Sequence, residues 1–260
     1  MIYDCFPFFN ELEVLELRLL ELDDVVDRFV LAEAPVTHSG KSKPLFYADN
    51  RDKFKRWENK IIHVVVDDMP GGTDAWQREK HQRNALMRGL VHALPHDGVI
   101  LSDVDEIPNS QIIRQWSQIR TPCRFSQIFC YYWINCIGGE WLRSCALTYG
   151  SIYRYRNLHN VRYNSEKWNI MSVGGWHFSY LGGIERIVAK LEAFAHQEYN
   201  TSFFKDFQHI AKAVSLGLDL FDRSDMCFRF CPLDERFPAS VRRNRRKYAP
   251  LIYNPNGDSE

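Results

Sequence analysis

The chain has 260 residues, 45% hydrophobic and 14% aromatic, enough for one large domain or two small ones with a substantial core. Lys plus Arg and Asp plus Glu each number 33, so the formal net charge is zero, which argues against a general nucleic-acid binder with its basic face. No basic-plus-apolar leader opens the chain and no apolar run reaches about 18 residues, so it reads as soluble and cytoplasmic; its seven cysteines form no C-x-x-C pair and read as free thiols.

Leu12, Leu15, Leu19, Leu22 and Val26 recur at three- and four-residue spacing and suit an amphipathic helix, although the alternation over residues 14–19 also allows a strand. Residues 29–34 (FVLAEA) read as a buried strand ended by Pro35, with a polar loop at 37–41. Residues 61–66 (IIHVVV) form a second buried strand, closed by Asp67-Asp68-Met69-Pro70. A loop with an N-cap follows at 71–74, then a long helix over 75–94 with Leu86, Leu90 and Leu94 in register. Val99-Ile100-Leu101 is a third buried strand, and its run ends in Asp103, Asp105 and Glu106 before Pro108 stops it.

The second half is more aromatic. Residues 128–134 read as a strand, 173–183 as a Gly-flanked aromatic strand, and 184–196 and 203–216 as helices, the latter ended by Gly217. After Phe237 the chain reads as irregular, and no Pro/Gly/Ser linker separates two domains. The basic run at 242–247 reads either as a solvated tail or as a patch for phosphate or a membrane surface.

Strand, loop, helix and strand in alternation predict an α/β fold with a Rossmann-like, mostly parallel central sheet and flanking helices. Glu33, Asp67, Asp68, Asp103 and Asp105 then fall at or just beyond strand C-termini, where open α/β sheets bind ligands. Asp103 and Asp105 are two apart, so on an extended backbone they point the same way. Oxygen ligands of this kind suit Mg²⁺ or Mn²⁺ bridging a protein to phosphates. The pattern predicts a metal-bound nucleotide substrate.

Several motifs extend this reading: Asp4-Cys5-Phe6-Pro7-Phe8-Phe9-Asn10-Glu11, Glu33-Ala34-Pro35-Val36-Thr37-His38-Ser39-Gly40, His63-Val64-Val65-Val66-Asp67-Asp68-Met69-Pro70, Trp76-Gln77-Arg78-Glu79, Gln82-Arg83-Asn84, Ser102-Asp103-Val104-Asp105-Glu106-Ile107-Pro108, Trp176-His177-Phe178-Ser179-Tyr180-Leu181-Gly182-Gly183 and Ala193-Phe194-Ala195-His196-Gln197-Glu198-Tyr199-Asn200. In this order, across roughly residues 3 to 240, they resemble glycosyltransferase family 17. The resemblance implies a GT-A nucleotide-sugar transferase fold, a UDP-sugar donor, most simply UDP-N-acetylglucosamine, a divalent cation (Mn²⁺ or Mg²⁺) and inversion at the anomeric carbon. The acceptor would be a glycan or glycoconjugate hydroxyl. Residues 1–240 would be one catalytic domain, about 1–110 its nucleotide half and 111–240 its acceptor half, with 241–260 a basic irregular tail. Animal members carry a membrane anchor and stem ahead of the similar region; this chain shows neither and is expected to be a soluble microbial or viral relative.

The resemblance also suggests roles. Asp105, the last acid of D-x-D, would hold the metal and serve catalysis; Asp103 would contact ribose or the metal and its water. His177 reads as a metal or phosphate ligand or as a core histidine, with His196 its competitor. Arg78 and Arg83 suit a diphosphate, because guanidinium is planar and always charged, or are exposed helix arginines. Glu33 and Asp68 suit uracil or ribose, or cap loops; His38 and Ser39 would line the same pocket. Glu106 is a third acid or an outward charge. Glu185, at a helix start that favours carboxylate, is the expected base or merely complements the dipole; Glu198, Glu166 and Glu140 are alternatives. Two other readings compete: a nucleotidyltransferase, for which residues 33–40 are a poor phosphate loop, and a non-catalytic carbohydrate-binding protein using the aromatic half.

Overall fold

The central strand is Ile2–Pro7 (β1), which hydrophobic periodicity alone passes over. A computed structural model describes residues 1–224 and 226–254 around it. Helix α1 (Leu12–Leu22) leads to β2 (Arg28–Glu33), short α2 (Phe46–Asp49) to β3 (Ile61–Val65), and α3 (Ala75–Ala85) to β4 (Gly98–Leu101). These four strands run parallel in the order β3-β2-β1-β4. Their C-terminal ends share one edge, as the strand-end acids required.

After the turn at 102–105 come β5 (Glu106–Pro108), α4 (Ser110–Ile119), β6 (Cys123–Tyr131), β7 (Cys136–Trp141) and β8 (Cys145–Thr148). Strand β8 pairs antiparallel with β4 and with β6, and so welds the second half to the first. Then follow α5 (Tyr149–Ile152), α6 (Leu158–Arg162), β9 (Asn169–Ser179), α7 (Ile184–Ala193), α8 (Phe207–Leu216), β10 (Arg229–Phe230), α9 (Ala239–Arg243) and α10 (Arg245–Tyr248). Strand β9 lies beside β6 in parallel and beside β5 in antiparallel. Gly175 (φ +134°) permits the second pairing: a Cβ there would meet the Ile107 carbonyl oxygen at 2.1 Å.

The sheet is packed on both faces. Leu15, Leu19 and Leu22 of α1 and Trp116 of α4 cover one, against Phe6, Phe29 and Ile100; Leu86, Leu90, Leu158 and Val161 cover the other, against Cys5, Val30 and Leu101. Residues 12–22 are therefore a helix, and the alternative strand does not form. Helix α3 starts as expected, with the Asp74 carboxylate accepting the N–H groups of Trp76 and Gln77. It ends at Ala85, shorter than the expected span to 94, and continues as 3₁₀ turns to Leu90. Gly89 explains the change: the chain descends onto β2, where any Cβ would lie 2.3 Å from Val30.

The segment after Phe237 also differs from expectation. Residues 239–251 form short helical turns, because Val241, Tyr248 and Leu251 are buried against Val14 and Leu17. The basic side chains between them are exposed, and Lys247 pairs with Glu16. Residues 255–260 of the expected tail lie outside the described residues. Among the described residues no helix is long and apolar enough to cross a membrane, and all seven cysteines are free.

Asp4 sits in β1 with no exposure, on the face that α1 covers. Arg18 of α1, equally buried, answers it: Nε donates to one carboxylate oxygen at 2.7 Å and Nη2 to the other at 2.5 Å. The remaining donors of the same guanidinium fasten the turn beyond β4. Nη1 donates to the carbonyls of Asp103 (2.8 Å), Val104 (3.2 Å) and Glu106 (2.9 Å), and Nη2 to Ser102 Oγ (2.6 Å). Removing one partner of a buried pair strands the other charge. Arg18→Met should therefore cost about 3–5 kcal/mol of unfolding free energy by urea denaturation; an unchanged midpoint would show that Asp4 needs no counter-charge.

Candidate active site

The strand ends open into a cleft of about 580 Å³. One wall, from the first half of the chain, carries Pro7 at the end of β1 and Phe8, Phe9 and Glu11 after it, Val36, Thr37 and His38 after β2, and Glu79, Gln82 and Arg83 of α3. Asp103, Val104 and Asp105 form its floor. The other wall comes from the second half: Phe129 and Tyr131 of β6, Trp141 of β7, Arg162 of α6, His177 of β9 and Lys190 of α7.

The two D-x-D acids part company. The Asp103 carboxylate is held by two arginines, Arg83 Nη2 at 2.8 Å and Arg162 Nη2 at 2.7 Å. Both guanidiniums are almost fully buried and are anchored in turn, Arg83 by Glu79 and Arg162 by Glu106. Asp105 is 5% exposed and reaches a different pair, with Oδ2 2.8 Å from Lys190 Nζ and Oδ1 3.7 Å from His177 Nε2. Burial opposes its charge, but Lys190 and His177 hold the carboxyl well below the usual range.

Glu106 is neither an outward charge nor a cleft acid. It is fully buried and accepts from Arg162 Nη1 and Nη2, from Trp141 Nε1 (2.5 Å), from Ser144 Oγ (3.1 Å) and from the Asp103 N–H (2.9 Å). It braces the turn that presents the other two acids. Burial raises its pKa and Arg162 lowers it more, to about 2.

The donor set at Asp105 fits a divalent cation. A carboxylate oxygen and an imidazole nitrogen stand 3.7 Å apart across the cleft floor, too far to hydrogen-bond well and close enough to share an ion. The His177 ring cannot drift, because it stacks on Phe129 (centroids 4.9 Å, planes 5° apart) and leans on Trp141 (4.4 Å). Among the described residues no three His, Cys, Asp or Glu converge to hold a metal unaided. A cation here would complete its shell with phosphate and water, as Mg²⁺ commonly does. Asp103, committed to its arginines, stands apart from this pair.

Other expected residues are placed as follows. Arg83 lines the cleft, and its Nη1 is buried without a partner. His38 lines it too, with Nε2 2.8 Å from Gln82 Oε1 and its pKa lowered by burial; Ser39 instead donates to the Glu192 carbonyl. Arg78 does not line it: the chain carries this arginine beneath the loops, where it donates to the His38 and Gly72 carbonyls at 2.6 and 2.7 Å. Glu33 is buried away from the cleft, accepting from the Tyr47 and Ala48 N–H groups at the start of α2 and facing His63. Asp68 is half exposed and bound to Arg88 and His81, whose hydrogen bonds lower its pKa. These three serve loops and helix ends.

Glu185 is also displaced from its expected role. It is exposed on the first turn of α7, outside the cleft lining, while Lys190 further along the helix points in. Of the alternatives, Glu198 pairs with His196 at the cleft mouth, Glu166 accepts from Tyr155, and Glu140 is exposed on β7. The carboxylates that do line the cleft are Glu11, Glu79, Asp103 and Asp105. Three of them are bound to arginine or tightly to lysine; Glu11 meets Lys190 at 3.3 Å.

Sequence reasoning overlooked Arg18, Arg162, Lys190 and Glu11. A signal existed for Arg18: it lies three residues after Leu15 and four before Leu22, on the apolar stripe of α1, where a charge needs a buried partner. Arg162 had none, since its partners lie 59 and 56 residues away.

The glycosyltransferase family 17 model matches residues 1–246. The β-1,4-mannosyl-glycoprotein 4-β-N-acetylglucosaminyltransferase of Homo sapiens is 34% identical over 107 residues, 38% of this chain and 20% of that protein. The Rattus norvegicus and Mus musculus proteins of the same name are 34% and 33% identical over the same shares. The chain thus spans about a fifth of the length of the curated relatives it matches.

Glu106 supplies a pH test of the buried network. Its folded pKa is depressed from 4.5 to about 2, so its stabilisation is present above pH 4.5 and is lost as pH falls towards 2. Arg162→Met should cost about 3–5 kcal/mol at neutral pH, and the gap from wild type should narrow as acid protonates Glu106. Urea unfolding across this range measures it; a gap independent of pH would contradict the pairing.

Proposed function

This chain belongs to glycosyltransferase family 17, and from that premise we propose that it transfers N-acetylglucosamine from UDP-N-acetylglucosamine to a hydroxyl of a glycan or glycoconjugate, with inversion. The observation that carries the reading is the convergence of Asp105 and His177 on the floor of a cleft whose far wall presents Arg83 with an unpaired nitrogen.

In this reading Asp105 and His177 would hold Mn²⁺ or Mg²⁺, which, when bound, would supply Lewis-acid neutralisation of the leaving phosphate. Arg83 Nη1 donates to the donor's ribose or phosphate oxygens, a charge-assisted bond in a site of low dielectric. Asp103, oriented by its two arginines, keeps acceptor capacity for a ribose hydroxyl. Phe8, Phe9, Val36 and His38 close around the nucleoside. The aromatic wall of Phe129, Tyr131 and Trp141 offers the faces on which sugars stack. Glu11 and Asp105 are the cleft carboxylates without an arginine partner; with Asp105 given to the cation, we assign Glu11 to deprotonate the acceptor hydroxyl in place of Glu185.

Asp105→Ala should lower transfer from UDP-N-acetylglucosamine at least about a hundredfold while leaving circular dichroism unchanged. Glu11→Gln should reduce kcat by roughly 10²–10⁴ at unchanged UDP affinity. Normal turnover in the first variant would remove the metal assignment. Normal turnover in the second would move the base elsewhere.

A further inference from the structure

Lys190 is a cation placed against the carboxylate that the proposed function assigns to a metal. Its Nζ lies 2.8 Å from Asp105 Oδ2 and 3.3 Å from Glu11 Oε1, over the face of Tyr180 at 5.5 Å. Its helix is anchored by packing: Ile187 and Leu191 of α7 are fully buried, and its C-terminal end accepts the Ser39 N–H and hydroxyl at Ala193 and Glu192. The side chain, by contrast, is 24% exposed and lines the cleft. The lysine stem is flexible and its ammonium is a point charge that any oxygen can receive.

We propose that Lys190 is a displaceable counter-cation for Asp105: it neutralises the carboxylate in the ligand-free protein, excludes a metal ion offered alone, and moves onto the donor's phosphates when nucleotide and metal load together. The inference rests on the reading of Asp105 as a metal ligand.

An almost buried carboxylate without a counter-charge is costly, and the fold supplies one. A divalent ion on the free oxygen of Asp105 would stand beside the ammonium on the other oxygen, and two cations on one carboxylate repel. A diphosphate resolves the conflict, because its oxygens accept from the lysine and bind the metal together. Metal and nucleotide affinities are then coupled, each raising the other by the same factor. Lys190 is thus a positioning residue that ties metal loading to donor loading.

The test is the shift in Tm of the full chain with MnCl₂ alone, UDP alone, or both, for wild type, Lys190→Met and Lys190→Arg. Wild type and Lys190→Arg should respond to manganese only when UDP is present. Lys190→Met should respond to manganese alone, and its affinity for UDP with manganese should fall about tenfold, the size of one charge-assisted hydrogen bond. Lys190→Gln repeats the test if the methionine variant does not fold. The proposal is overturned if the neutral variants gain no response to manganese alone, or if wild type responds to manganese alone as strongly as they do. Nucleotide binding with no manganese effect in any of the proteins would instead overturn the metal assignment at Asp105, and this inference with it.

Discussion

One guanidinium connects the core of this protein to its chemistry. Arg18 compensates a carboxylate in the central strand and, with the donors left over, pins the carbonyls of Asp103, Val104 and Glu106 and the Ser102 hydroxyl at the turn between β4 and β5. A turn at a sheet edge would ordinarily be free to flex. Here it is tied to the least exposed charge pair in the molecule, so Asp103 and Asp105 inherit the rigidity of the sheet. Ligand-binding carboxylates gain from such support, because a site held loosely loses the orientation on which catalysis depends.

Around that turn the charges are sorted into two groups. Asp103 and Glu106 share Arg162, with Arg83 and Glu79 completing a buried lattice in which each carboxylate meets at least one guanidinium. Asp105 is left out of that lattice and turned towards a lysine and a histidine. The first group is held in place by its mutual ion pairs, which are damaging to break, while Asp103 and Arg83 still face the cleft. The second is the one an incoming cation and phosphate can rearrange, since its donors are a flexible ammonium and an imidazole beyond hydrogen-bonding range. The D-x-D spacing alone treats the two acids as equivalent; their partners make them different.

Much of the fold was legible from periodicity. The strands at 28–33, 61–65 and 98–101 stand out as short, continuous apolar runs, and the α/β alternation follows. Strand β1 was not legible, because an acid, a cysteine and a proline interrupt its apolar character; only a partner on another element makes Asp4 acceptable there. The site was partly legible. Asp103, Asp105, Arg83, His38 and His177 line the cleft, since strand ends and the aromatic strand β9 converge on one edge. Glu33, Asp68 and Arg78 share the expected neighbourhood but are turned away by the backbone groups and ion pairs they satisfy. Glu185 lies outside the cleft for a reason of helical phase: Lys190, five residues on, and Ala193 are the α7 residues that line it. Contacts such as Arg162 with Asp103 depend on how distant segments meet, and one sequence carries no local trace of them.

The central claim is that the cleft binds a uridine nucleotide through a cation held at Asp105 and His177. Calorimetry with UDP-N-acetylglucosamine and with GDP-mannose, each in Mn²⁺ and in chelator, tests it most directly. The account predicts binding of the uridine ligand in Mn²⁺, strong weakening in chelator, and no comparable binding of GDP-mannose. Uridine binding indifferent to chelator, or no nucleotide binding in any condition, would contradict it.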